Sequence, residues 1–142
     1  MKVCADTSFL VSLYATEVHS PEAQRRIALR PSIYVTPLNQ TEVMHAFFNQ
    51  VFRSKIAISE ARLAWSQFSA DCARGLWTLV DLPVNSWQTC VDLGQRHGAT
   101  LGNRTLDSLH VACALELKAQ KFWTFDERQA RLAEAAGLDT TA

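Results

Sequence analysis

The stretch from Asn103 to Asp126 constrains this chain more than any other. It reads N-R-T-L-D-S-L-H-V-A-C-A-L-E-L-K-A-Q-K-F-W-T-F-D. Leu106, Leu109, Cys113 and Leu117 recur at the spacing of one helical face, and Asn103 is placed to cap that helix. Val111, Ala114 and Leu115 make the other sides apolar as well, and a helix apolar nearly all round is a buried one. Asp107 falls in the middle of it, between His110, Val111 and Ala114 at about 100° per residue. An ionised carboxylate in such company needs a cation, a metal or several donors to offset its lost hydration. Pairing with Arg104, three residues earlier, is the structural alternative. The segment then closes with a short aromatic strand, Phe122 to Phe125, and a second acid, Asp126.

The rest of the chain repeats this alternation. Lys2-Val3-Cys4-Ala5 reads as a strand ended by Asp6-Thr7-Ser8, with Asp6 or Thr7 capping the next helix. Ser20-Pro21-Glu22 starts a second helix, which Pro31 stops. Ser32 to Val35 is a strand, and Thr36-Pro37 opens a helix to about Phe52 with an apolar stripe of Leu38, Met44, Phe47, Phe48, Val51 and Phe52. Ser59 caps a helix ending near Gly75, and Leu76 to Leu82 is a strand. A helix from Ser86 to His97 is closed by Gly98, and Ala99 to Gly102 is a loop. After Asp126 a last helix runs to about Ala136, and Leu138 to Thr140 is a short final strand. Strands alternating with helices predict an α/β fold, a central mostly parallel sheet with helices on both faces, and Val3, Ile33, Leu79 and Trp123 on core strands.

In such sheets ligands bind beyond the carboxyl ends of the strands. Asp6 and Asp126 both stand there, in similar settings, V-C-A-D-T-S and W-T-F-D-E-R. Each also has a capping role open to it, and Asp126 with Gln129 three residues on has the capping-box pattern. Glu42 falls off the apolar stripe of its helix, so its position alone predicts a solvated side chain. His110 reads as a histidine at the edge of the core. Converging Asp and Glu without Cys or His ligands suit a hard cation, Mg²⁺ or Mn²⁺, which keeps waters and bridges to substrate phosphates.

Composition bears on what partners such a site has. Lys plus Arg number 14 and Asp plus Glu number 14, a balance that argues against bulk nucleic-acid binding while leaving room for a local basic rim. The length suits one domain, residues 1–142. No apolar run approaches a membrane span, and the N-terminus reaches an acid too early for a signal peptide, so a cytoplasmic protein without membrane association is expected. The 4 cysteines, Cys4, Cys72, Cys90 and Cys113, form no C-x-x-C pair and read as reduced core residues.

Four pieces together resemble the PIN-domain family, and most closely its VapC-type toxin ribonucleases: D-T-S at Asp6, T-E-V around Glu42, R-T-L-D-S-L-H-V-A at Asp107 and T-F-D-E-R at Asp126. The resemblance covers nearly the whole chain and implies a three-layer α/β/α PIN-like domain. It implies four catalytic acids, Asp6, Glu42, Asp107 and Asp126, with Asp6, Asp107 and Asp126 holding Mg²⁺ or Mn²⁺ and Glu42 acting as a ligand or water-orienting base. This is what raises Glu42 to a site residue. Thr7, Ser8 and Thr124 match the family's supporting polar positions, and Arg104 and Arg128 are placed to hold phosphates. The implied activity is endonucleolytic cleavage of single-stranded RNA by the toxin of a type II toxin–antitoxin pair. The implied partners are RNA, a second copy in a homodimer, and a short cognate antitoxin lying along residues 36–75 near Phe47, Phe48 and Phe52. Two positions depart from the pattern: Ser108, where many relatives have Ala, and Gly102-Asn103 before Arg104. The alternative class is a catalytically inert PIN-fold module that binds RNA or protein. A doubly wound phosphotransferase would need a Gly-rich phosphate loop, which is absent.

Overall fold

The computed structural model describes all residues, Met1–Ala142. Strands β1 (Lys2–Ala5), β2 (Ser32–Val35), β3 (Thr78–Leu79) and β4 (Lys121–Trp123) form one fully parallel sheet in the order β3-β2-β1-β4. Helices α1 (Thr7–Tyr14) and α2 (Ser20–Ile27) follow β1, and α3 (Pro37–Phe52) and α4 (Ile58–Ala73) follow β2. Helices α5 (Ser86–Leu101) and α6 (Thr105–Glu116) separate β3 from β4, and α7 (Glu127–Ala135) follows β4.

Side chains alternate along a strand, so each strand feeds two cores. Val3, Ala5, Ile33, Val35 and Trp123 join Phe9, Val43, Phe47 and Phe68 on the side of α1, α3 and α4. Cys4 and Phe122 join Leu93, Val111, Ala112, Ala114 and Leu132 on the side of α5, α6 and α7. A sheet covered on both faces has apolar strands rather than half-polar ones, as β1 and β4 do. No helix is long and apolar enough to cross a membrane. All four cysteines are free, and burial pushes the Cys4 thiol up to about 12, which keeps it a thiol rather than a reactive thiolate.

Several boundaries differ from those read in the sequence. Helix α5 continues through Gly98 to Leu101, and Gly102 is the residue that ends it, at φ +64°. A glycine inside a helix costs only about 1 kcal/mol, so Gly98 does not stop one. Nothing lies within 4 Å of a Cβ built on Gly102, so Gly102→Ala tests backbone conformation alone. It is expected to lower stability by about 1–2 kcal/mol, measured by urea unfolding. Helix α6 starts at Thr105, with Arg104 rather than Asn103 at the cap position, and Leu106 on its first turn is exposed. Helix α4 starts at Ile58, one residue before Ser59, and Glu60 Oε1 accepts from the Ala57 N–H at 3.1 Å. The expected strand Leu76 to Leu82 pairs over only two residues, and Leu79 is half exposed on the sheet edge rather than in the core. Strand β4 stops at Trp123, two residues short of Phe125. The tail contributes one parallel bridge, Lys121 with Asp139, along the outer edge of β4. Phe52 lies outside the apolar stripe of α3 and is exposed.

The sheet order also fixes where a ligand fits. From β1 the chain steps outward through β2 to β3, then returns to add β4 on the other side of β1. The crevice beyond the carboxyl ends of β1 and β4 is the point where the strand order reverses.

Candidate active site

Asp6 is the first residue beyond β1. Its N–H donates to the Trp123 carbonyl at 3.1 Å, continuing the pairing of β1 with β4. Its side chain caps α1, with the Phe9 N–H donating to Oδ1 at 3.0 Å. Ser8 Oγ donates to the same oxygen at 2.7 Å, and Thr124 Oγ1 donates to Oδ2 at 2.9 Å. Burial pushes the Asp6 carboxyl up, and the donors from Ser8, Phe9 and Thr124 only partly oppose it. The buried carboxyl that the sequence assigns to Asp107 is therefore that of Asp6.

Thr124 and Gln129 connect Asp6 to the other acids. Thr124 Oγ1 accepts from the Asp126 N–H at 3.0 Å and also lies 2.9 Å from Gln129 Oε1. Its single proton serves Asp6 or Gln129, one at a time. Asp126 caps α7, with the Gln129 N–H donating to Oδ1 at 3.0 Å. Only this half of the expected capping box forms, because Gln129 Nε2 donates to the Asp107 carbonyl at 3.2 Å instead. Gln129 is buried, and its linking role depends on long-range contacts that give no sequence signal.

Asp107 sits in the first turn of α6, not in its middle, and its side chain is partly exposed. Its one protein partner is Arg104, whose Nε donates to Oδ2 at 3.3 Å. Asp107 and Asp126 nevertheless open onto the same depression, about 480 Å³, which Arg104, Glu127, Arg128 and Arg131 complete without any hydrophobic residue. Glu127 and Arg131 were not singled out from the sequence; their place one turn apart on α7, beside Asp126, was the available signal.

Glu42 is half-buried rather than solvated. Thr7 Oγ1 donates to Oε1 at 3.0 Å, and His110 Nε2 meets the same oxygen. Burial pushes the Glu42 carboxyl up, but the bond and the positive charge of His110, the bond from Thr7 and the positive charge of Arg104 hold it below the ordinary value. Asp6 and Glu42 do not line the depression that Asp107 and Asp126 share. No three Asp, Glu, His or Cys side chains are gathered closely enough to hold one ion, so the expected convergence of Asp6, Asp107 and Asp126 on a single ion is not seen.

A four-stranded parallel sheet between helix layers, with acids along its carboxyl edge, defines a class of α/β protein. Within it, residues 3–135 match the PIN domain model, and the chain belongs to that family. A search of curated proteins returns no match. Among solved structures the chain is similar to VapC20 of Mycobacterium tuberculosis, described as a sarcin–ricin loop cleaving toxin, at 16% identity and TM-score 0.71 over 98% of both chains. It is also similar to VapBC2 of Rickettsia felis, bound to a DNA fragment from its promoter, at 13% identity and TM-score 0.64 over 92% of both chains. At these identities the likeness is one of fold.

Proposed function

We propose that this chain is a metal-dependent endoribonuclease, cutting single-stranded RNA as the toxin of a type II toxin–antitoxin pair. One observation carries the reading: the carboxylates of Asp107 and Asp126 share a depression with Arg104, Arg128 and Arg131. The acids suit a cation, and the arginines suit phosphate oxygens. The side-chain oxygen donors of the depression are all carboxylates, and a hard ion such as Mg²⁺ or Mn²⁺ is commonly held by one or two carboxylates plus waters. Asp107 and Asp126 would hold it, with Asp6 joined through Thr124. Such an ion lowers the pKa of water and neutralises charge developing on the phosphate.

The chain's own groups do the remaining work. Arg104, Arg128 and Arg131 bind and orient the RNA backbone against the acids. Glu42, with Oε1 occupied by Thr7 and His110, presents Oε2 to orient water or take its proton. Membership in the PIN family and the toxin folds of the similar structures support this reading, and the VapBC2 pair supports an antitoxin partner. We place that partner along residues 36–75, where Phe52 and Leu63 are exposed, and expect the toxin itself to be a cytoplasmic homodimer.

The absence of a three-acid cluster favours a second reading, an inert PIN-fold module that binds RNA without cutting it. Incubating purified protein with total RNA in Mg²⁺ or Mn²⁺, and in EDTA, separates the two. New RNA ends only with the ion are expected; intact RNA in every condition, or equal cleavage in EDTA, overturns the nuclease. Asp126→Asn is expected to lower cleavage by about tenfold or more. Its melting temperature should stay within a few degrees of wild type, because Asn caps helices about as well as Asp.

A further inference from the structure

We propose that His110 is a positioning residue for Glu42, held by Asn39 so that its Nε2 carries a proton and donates it to Glu42 Oε1. The inference rests on the nuclease reading for what Glu42 does, and on geometry alone for what His110 does.

The lock starts at Asn39, which is buried on the first turn of α3. Its amide can stand in only one orientation. The Thr36 N–H donates to one amide atom at 3.0 Å, so that atom is the oxygen. The other amide atom lies 3.0 Å from the Ala5 carbonyl, which only accepts, so it is the nitrogen. That NH₂ group has a second proton, and His110 Nδ1 stands 3.5 Å away. A protonated Nδ1 would oppose one N–H to another. Nδ1 facing that N–H is suited to accept, which leaves Nε2 to carry the ring proton that Glu42 receives. His110 is 6% exposed, so no water replaces either contact cheaply.

Nε2–H then points at Glu42 Oε1, which also receives the Thr7 hydroxyl. Both donors occupy one oxygen. Glu42 loses its rotational freedom, and Oε2 is left without a protein hydrogen bond. Thr7 adjoins Asp6 at the end of β1, and Ala5 belongs to β1 itself. The clamp thus refers the position of Glu42 to the strand that carries the first acid. A residue that orients a site carboxylate from behind in this way typically matters by about 10–100-fold.

Two variants and one spectroscopic measurement test the proposal. Gln places its amide nitrogen where Nε2 stands, so His110→Gln keeps a donor; His110→Phe fills the space without one. His110→Phe should lower kcat by about 10–100-fold at little-changed KM, per folded molecule. His110→Gln should restore most of it. In the metal-free wild type, long-range ¹H–¹⁵N NMR should show His110 with a downfield Nε2 proton that shifts upfield or exchanges away in Glu42→Ala. A ring with no proton on Nε2, or an Nε2 proton indifferent to Glu42→Ala, overturns the inference. Equal losses in the Gln and Phe variants also overturn it. Wild-type protein that cuts no RNA under any condition overturns the nuclease reading and the catalytic role of the clamp, while the NMR result separately decides the His110–Glu42 bond.

Discussion

Asp107→Asn is expected to reduce RNA cleavage on the order of a hundredfold, the largest activity loss of any single site residue, with little change in stability. The activity side follows from place: Asp107 faces the open depression, and Arg104 is its only protein partner. Its charge is free to serve a ligand. The stability side follows from the same facts. An acid in the first turn of a helix gains from the helix dipole, and an exposed pair with Arg104 adds little. Removing both costs about 0.3–1 kcal/mol, a few degrees of melting temperature for a chain of this size. Mn²⁺ or Mg²⁺ should raise the melting temperature of the wild type by mass action and raise it much less in Asp107→Asn. Thermal unfolding with and without the ion, beside the cleavage assay, checks both sides. A variant that unfolds at room temperature yet cuts normally per folded molecule would make Asp107 a scaffold residue.

The largest stability effects are expected at Asp6, and they have opposite signs in two substitutions. Asp6→Ala removes the cap of α1 and strands the Phe9 N–H and the Ser8 hydroxyl, while Thr124 turns its proton to Gln129. Loss of a cap with buried donors left unpaired costs about 2–4 kcal/mol. Asp6→Asn keeps the cap oxygen, and its new N–H₂ meets Thr124 Oγ1, whose proton turns to Gln129. The cap and the Thr124 bond are kept and a buried charge disappears, so the ion-free variant should match or exceed the wild type in stability while cutting less RNA. The pH dependence follows from the direction in which burial moves this carboxyl. Its folded-state value lies above the ordinary 3.8, so the folded protein takes up a proton at higher pH than the unfolded chain. The stability gap between wild type and Asp6→Asn is then full at pH above the raised value and closes as the pH falls through it toward 3.8. Chemical unfolding of the two proteins across pH 4–7, in EDTA, reads the gap.

The site was legible in the sequence as far as its residue types reach. Strand-end acids announce a carboxyl edge, and Asp6 and Asp126 do cap α1 and α7. Local periodicity misplaced Asp107, because the start of α6 is set from outside the segment: Asn103 Nδ2 donates to the Arg128 carbonyl, 25 residues away. Glu42 could not be read at all without the family resemblance. Its partners, Thr7 and His110, lie 35 and 68 residues off, and the stripe of its own helix turns the other way. The burial of each acid followed the same rule, since desolvation is decided by elements that pack from elsewhere. The strand Leu76 to Leu82 failed for a different reason: its apolar residues met a sheet edge, where two residues of pairing sufficed.

The tail bridge along β4 bears on self-association. Phe122-Trp123-Thr124-Phe125 is an uncharged, β-prone run of the kind that templates cross-β assembly when its edge is bare. Here the edge is taken. The Phe122 N–H donates to the Asp139 carbonyl at 2.9 Å, Trp123 Nε1 donates to the Thr141 carbonyl at 2.9 Å, and Lys121 Nζ holds Asp139 at 2.8 Å. At the opposite border β3 offers only two residues, too short a template for an incoming strand. The last few residues therefore cover the outer edge of β4, and loosening them would bare an apolar, β-prone edge without touching the acids.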